Sequence, residues 1–209
     1  MAEAEIYSVI RGPILGELGP ETRMIEHEQC PSCSRRLPAE VEFLHYAFDF
    51  WEGQPLACVA ECFAVVPELR LAIEQAGMKG LIFREMKASF SDYYEPEEGD
   101  QPLPAFVEMR PKNVLTAGPG WWLPAGKCSQ CGRREWDSTI YTINAIVSAH
   151  ENPKLPRRSV VRSAYDGEDF FRIDDPGPSL MSGRMLALLR SNGVEGLEVQ
   201  PANFVDRSD

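Results

Sequence analysis

Four of the six cysteines in this 209-residue chain stand as two pairs in nearly the same phrase, CPSCSRR at 30–36 and CSQCGRR at 128–134. A thiolate is a soft, negative ligand, and Cys-x-x-Cys can turn two of them toward one point from a single tight loop. Two such loops supply the four ligands of a tetrahedral Zn²⁺ site, and the ligand set read here is Cys30, Cys33, Cys128 and Cys131. Between Cys33 and Cys128 lie 94 residues, against roughly 15–20 in a compact ribbon. A joint site would therefore be a tertiary clamp. Its closure is physically acceptable because loop entropy grows only with the logarithm of length. Three other chemistries compete: a thioredoxin-type redox motif, an iron–sulfur cluster on the same four thiolates, and two unrelated buried pairs. The redox motif expects one pair opening a helix after a strand, and two pairs each followed by Arg-Arg fit it poorly.

The neighbours of the pairs suit a metal knuckle. Gly132 follows Cys131, where a small residue lets backbone amides approach the sulfur; Ser34 holds the same place in the first pair. Arg35–Arg36 and Arg133–Arg134 either offset the charge of a four-thiolate centre or are simply solvated. Cys58 and Cys62 are four apart and would share a face if LACVAEC were helical; they are read as small buried hydrophobes, with metal ligation as the alternative. His27, three residues before Cys30, is within reach of substituting in a zinc site but is read as a surface or core histidine. No nucleophile elbow, phosphate loop, HExxH helix or deaminase pattern is present, so no catalytic residue is assigned and the chain is not expected to be an enzyme. Asp49 and Asp169, in DFW and DFF, read as turn or capping residues. Trp121 and Trp122 read as packing or as interface anchors.

The elements that must carry the pairs repeat as well. VVPELRLAIEQAGMKGLIF (65–83) and MSGRMLALLRSNGVEGLEV (181–199) each read as an amphipathic helix, a glycine stop and a strand. Pro67 suits a first helical position, Ser182 an N-cap, and Gly77 and Gly193 the left-handed residue past each helix. Leu69, Ala72, Ile73 and Ala76 form one apolar face; Met185, Leu188 and Leu189 form the other. Segments 5–10, 41–50, 105–110, 138–147 and 159–165 have strand character, and 95–104 and 150–158 read as loops. The shared order of knuckle, Asp-Phe-aromatic, helix and Gly-x-x-Gly-Leu predicts an internally duplicated, strand-rich α+β fold with one helix per half. A single compact domain over 1–209 is expected, with halves near 1–104 and 105–209 joined by a four-cysteine zinc site.

Charge separates those halves. Residues 1–104 carry 19 acidic and 8 basic side chains, whereas 105–209 carry 13 of each. An acidic surface repels phosphate backbones, so nucleic-acid binding is not expected, and it attracts a basic protein. No apolar run approaches the roughly 20 residues of a membrane span, and the N-terminus has no signal-peptide pattern. A cytoplasmic protein is expected, where reduced thiols favour metal over disulfides.

The two Cys-x-x-Cys pairs about a hundred residues apart, the second as CSQCG, with DFFRID and a helix ending GVEGLEV, resemble the double-CXXCG family of myxobacterial immunity proteins. The first pair departs from that pattern, reading CPSCS. The resemblance implies a protein that binds and neutralises a cognate polymorphic toxin in the cytoplasm, as in swarm exclusion between kin groups. The charge adds a basic, nuclease-like effector as the expected partner. Asp92, Tyr93, Tyr94, Glu95, Glu97, Glu98 and Asp100 are then the expected partner surface. The alternatives are a zinc-ribbon adaptor or regulator and a thiol redox enzyme.

Overall fold

The computed structural model describes residues 5–36, 39–59, 61–95, 101–118, 122–136, 159–173 and 178–206. The predicted strand at 138–147, the predicted loop at 150–158, Trp121, and Glu97, Glu98 and Asp100 lie outside them. The described residues form a strand-rich α+β fold with two helices. The first half runs β1 (Ile6–Arg11), β2 (Gly16–Leu18), β3 (Arg23–Ile25), β4 (Glu40–Phe43) and β5 (His45–Phe48). It continues with β6 (Leu56–Val59), β7 (Cys62–Val65), α1 (Pro67–Gln75), β8 (Leu81–Glu85) and β9 (Lys87–Phe90). The second runs β10 (Val107–Pro111), β11 (Val114–Leu115), β12 (Trp122–Lys127), β13 (Arg134–Trp136) and β14 (Ser159–Val161). Then come β15 (Phe170–Ile173), β16 (Ser179–Ser182), α2 (Gly183–Ser191) and β17 (Glu198–Val205). Among the described residues no helix is long and apolar enough to cross a membrane.

Both helices end by the same device. Gly77 has φ +62° and Gly193 φ +79°, a region closed to most side chains. In α1 the Gly77 and Met78 amides donate to Glu74 O and Ile73 O; in α2 those of Gly193 and Val194 donate to Arg190 O and Leu189 O. This pair of hydrogen bonds around a left-handed glycine satisfies carbonyls that the helix end leaves open. The starts differ. Pro67 opens α1 with no side-chain cap, whereas the Ser182 hydroxyl accepts from the Met185 amide at 3.0 Å. Leu69 and Ile73 are buried on α1, and Met185, Leu186 and Leu189 on α2. Leu188 is partly buried against the same core, and Leu186, outside the face predicted from the sequence, is buried in it.

Each helix packs on a sheet, and the two sheets have the same plan. One is ordered β6-β7-β10-β8; the other contains β15-β16-β1-β17. Val107 pairs with Val65 on one side and Glu85 on the other, and Tyr7 pairs with Met181 and Pro201. The step from Val65 to Met181 equals that from Glu85 to Pro201 and from Gly77 to Gly193, 116 residues in every case. Parallel pairs match as well: His45 faces Lys87, and Ser159 faces Asn203. Isolated bonds follow suit. Cys58 N donates to Pro13 O and Arg172 N to Asn113 O, while Gly19 N donates to His45 O and Gly118 N to Ser159 O.

The main core lies where the helices meet the sheets, with Phe63, Val65, Met109, Phe170 and Met181 joining the helix residues. Phe63 and Phe170 meet edge to face, with centroids 5.2 Å apart. A second core behind the other sheet face takes Phe171, Ile173 and Leu180. Successive strand residues point to opposite faces, so Phe170 and Phe171 serve different cores, which explains an apolar run without alternation. Two readings change here. Cys58 and Cys62 are not on a helix; they lie on the paired strands β6 and β7, with a turn at Glu61 whose φ is +64°. The predicted strand 159–165 stops at Val161, where a 3-10 turn takes over at Arg162–Ala164.

Candidate metal centre

Each cysteine pair sits at the end of a hairpin. β3 pairs with β4 around Cys30 and Cys33, and β12 pairs with β13 around Cys128 and Cys131. The two loops close identically. Cys30 N donates to Arg35 O at 2.9 Å and Ser34 N to Cys30 O at 2.8 Å; Cys128 N donates to Arg133 O and Gly132 N to Cys128 O, both at 2.9 Å. That fold requires a positive φ at the residue after the second cysteine, and Gly132 has +70°. Ser34 adopts +54° there, so the serine does not disrupt the knuckle.

The loops face each other and bring the four Sγ atoms within 4.8 Å of one another. Cys33 Sγ and Cys131 Sγ are 3.8 Å apart. About 3.8 Å is the edge of a tetrahedron whose centre lies 2.3 Å from each sulfur, so the donor set and its spacing fit a thiolate-bound metal. Among the described residues no other group of His, Cys, Asp and Glu side chains is close enough to do so. His27 stays outside the cluster and faces Glu40 at 3.7 Å.

Backbone amides favour the thiolate at the first cysteine of each pair. The Cys33 and Ser32 amides lower the Cys30 thiol, and the Cys131 and Gln130 amides bring Cys128 down to about 6. Cys131 receives the Arg133 amide, but burial and the neighbouring sulfurs outweigh it and push it up to about 11. Four thiols this close cannot all ionise without a cation among them, which is the electrostatic case for a metal. Cys58 and Cys62 stand apart from this chemistry. Both are buried; burial raises the Cys58 thiol and, with the Glu108 charge, pushes Cys62 up to about 12.

The arginines do something the sequence did not disclose. Arg35 reaches across and donates to Arg134 O at 2.6 Å and Arg133 O at 3.4 Å, while Arg133 donates to Arg35 O at 3.2 Å. They are reciprocal clamps between the knuckles, Arg35 holding two carbonyls of the opposite loop and Arg133 one. Arg36 instead pairs with Glu26 at the surface.

Asp169 and Asp49 part company. Asp169 is 4% exposed and accepts from Ser182 Oγ at 2.7 Å, Lys79 N at 2.9 Å, and Arg184 Nε and Nη2 at 3.1 and 2.6 Å. It orients the α2 cap and ties it to the end of the α1 unit. Asp49 accepts from Ser91 Oγ at 2.6 Å at the exposed end of β5. On that end lie the described members of the expected partner surface. Asp92 and Glu95 are exposed, Tyr93 is 78% exposed, and Tyr94 stacks on Phe90 with centroids 3.7 Å apart. Trp122 opens β12. No protein-family model and no curated protein matches the chain.

Proposed function

We propose that the chain is a protein-interaction module whose two knuckles share one structural Zn²⁺. The observation that carries this is the set of four sulfurs, one pair from each hairpin, mutually within 4.8 Å. Four protein ligands close a tetrahedral shell and leave no open position for substrate, the mark of a structural site. Zinc suits the set because it is a borderline-soft, redox-inert ion that takes tetrahedral thiolates without preference of its own. The matched registers and the 116-residue step support reading the two units as copies of one ancestral half.

A narrower reading is an immunity protein that binds a cognate toxin in the cytoplasm. The acidic excess of residues 1–104 and the exposed Asp92, Tyr93 and Glu95 favour a basic partner there, since exposed aromatics among acids suit arginine and lysine. Co-expression with the product of the adjacent gene tests it. Growth arrest by that product alone, relieved by this protein and less relieved by Tyr93→Ala, is the expected result. A product that is harmless alone, or equally toxic in its presence, removes the toxin reading and leaves the zinc site untouched.

A further inference from the structure

The halves of this chain exchange their first strands. β1 belongs to residues 1–104, yet it lies between β16 and β17 in the sheet that carries α2. β10 opens the second half, yet it lies between β7 and β8 in the sheet that carries α1. Each visitor is a central strand, hydrogen-bonded on both sides, and each occupies the same register in its host. Removing β1 would leave β16 and β17 without a shared neighbour; removing β10 would do the same to β7 and β8.

We infer that the molecule is a strand-exchanged dimer contained in one chain, in which each half completes the sheet of the other. The halves are held by β1 and β10, and the metal fixes only the two knuckle hairpins. Further hydrogen bonds run between the same partners. Asp169 N and Phe170 N donate to Lys79 O, Asp169 accepts from Lys79 N, and Arg184 donates to Gly77 O. The shared core adds Phe63 against Phe170. Against this, the knuckles contribute two arginine clamps and the metal. A half therefore has no independent stability, and the chain unfolds as one cooperative unit. The inference rests on strand pairing and is independent of which metal is bound or which partner is recognised.

The chain itself provides the test. A protease sequence inserted between Asp100 and Gln101 allows the folded protein to be cut between its halves and then stripped of metal with a chelator. The expected result is that both fragments stay together as one 1:1 particle, with and without metal, and separate only in denaturant. Fragments that part on chelation while keeping their β-sheet signal would overturn the inference, because the metal would then be the joint. Hydrogen exchange on the uncut chain gives a second reading should the insertion prevent folding. Chelation is expected to change protection at Tyr7 and Met109 by less than about tenfold while loosening the Cys30–Arg35 and Cys128–Arg133 amides by more than about 100-fold. Comparable loss at all four places would equally overturn it.

Discussion

Cys33→Ser is expected to abolish stable metal binding, and the same change at Cys30, Cys128 or Cys131 should do so equally. Serine keeps the size of the side chain but replaces a thiolate by a hydroxyl that stays protonated near neutral pH and ligates zinc poorly. Partners outside the ligand shell are worth about 10–100-fold in affinity, so loss of a ligand should cost more than about 100-fold. After dialysis against a chelator, metal content should fall from one per chain to near none in all four variants. The equality is the informative part. If two pairs bound separately, Cys33→Ser would retain the metal at Cys128 and Cys131. Cys58→Ser and Cys62→Ser form the control, because both side chains are buried on β6 and β7 away from the cluster. They should keep the metal and lose stability instead, by burying a hydroxyl in an apolar site.

Asp169→Ala is expected to be the most damaging single change outside the cysteines. Its carboxylate satisfies the Lys79 amide, orients the Ser182 cap and holds Arg184. The arginine side chain is 56% exposed, so the ion pair itself contributes little. The loss comes from buried hydrogen bonds and a helix cap, about 3 kcal/mol together, out of roughly 5–15 for a domain. A melting temperature lower by roughly 6–12 °C is the expected readout. The pH dependence has a definite sign. Burial alone would raise this carboxyl, but Arg184, the Lys79 amide and Ser182 together hold it below the usual carboxylate value. Its contribution is therefore complete above the unfolded pKa of about 3.9 and is lost as pH falls through the lower folded value. Wild type should lose stability on acidification through that window, and Asp169→Asn should lack that component.

The local signals of this fold were legible because each has a local cause. Pro67, Ser182, Gly77 and Gly193 mark helix ends through steric rules that act within a few residues, and the helices end where they say. Strand partners obey no such rule. Nothing in IYSVIR names β16 and β17, near the opposite end of the chain, as its neighbours, so the exchange of first strands was invisible. The same gap misplaced the Asp-Phe match. Val66 N donates to Pro55 O as Ser182 N donates to Asp169 O, so Asp169 corresponds to Pro55 and not to Asp49. The cysteine spacing identified the cluster, while the arginine clamps depend on how two distant loops face each other. Cys58 and Cys62 show the limit of periodicity: four residues span a helical turn or a tight hairpin equally well.

X-ray absorption at the zinc edge of the purified protein tests the central reading most directly. The expected spectrum is a single shell of four sulfurs at about 2.3 Å, with one zinc per chain by elemental analysis. A mixed shell containing nitrogen or oxygen, two metals per chain, or no metal in protein prepared without chelator would contradict it.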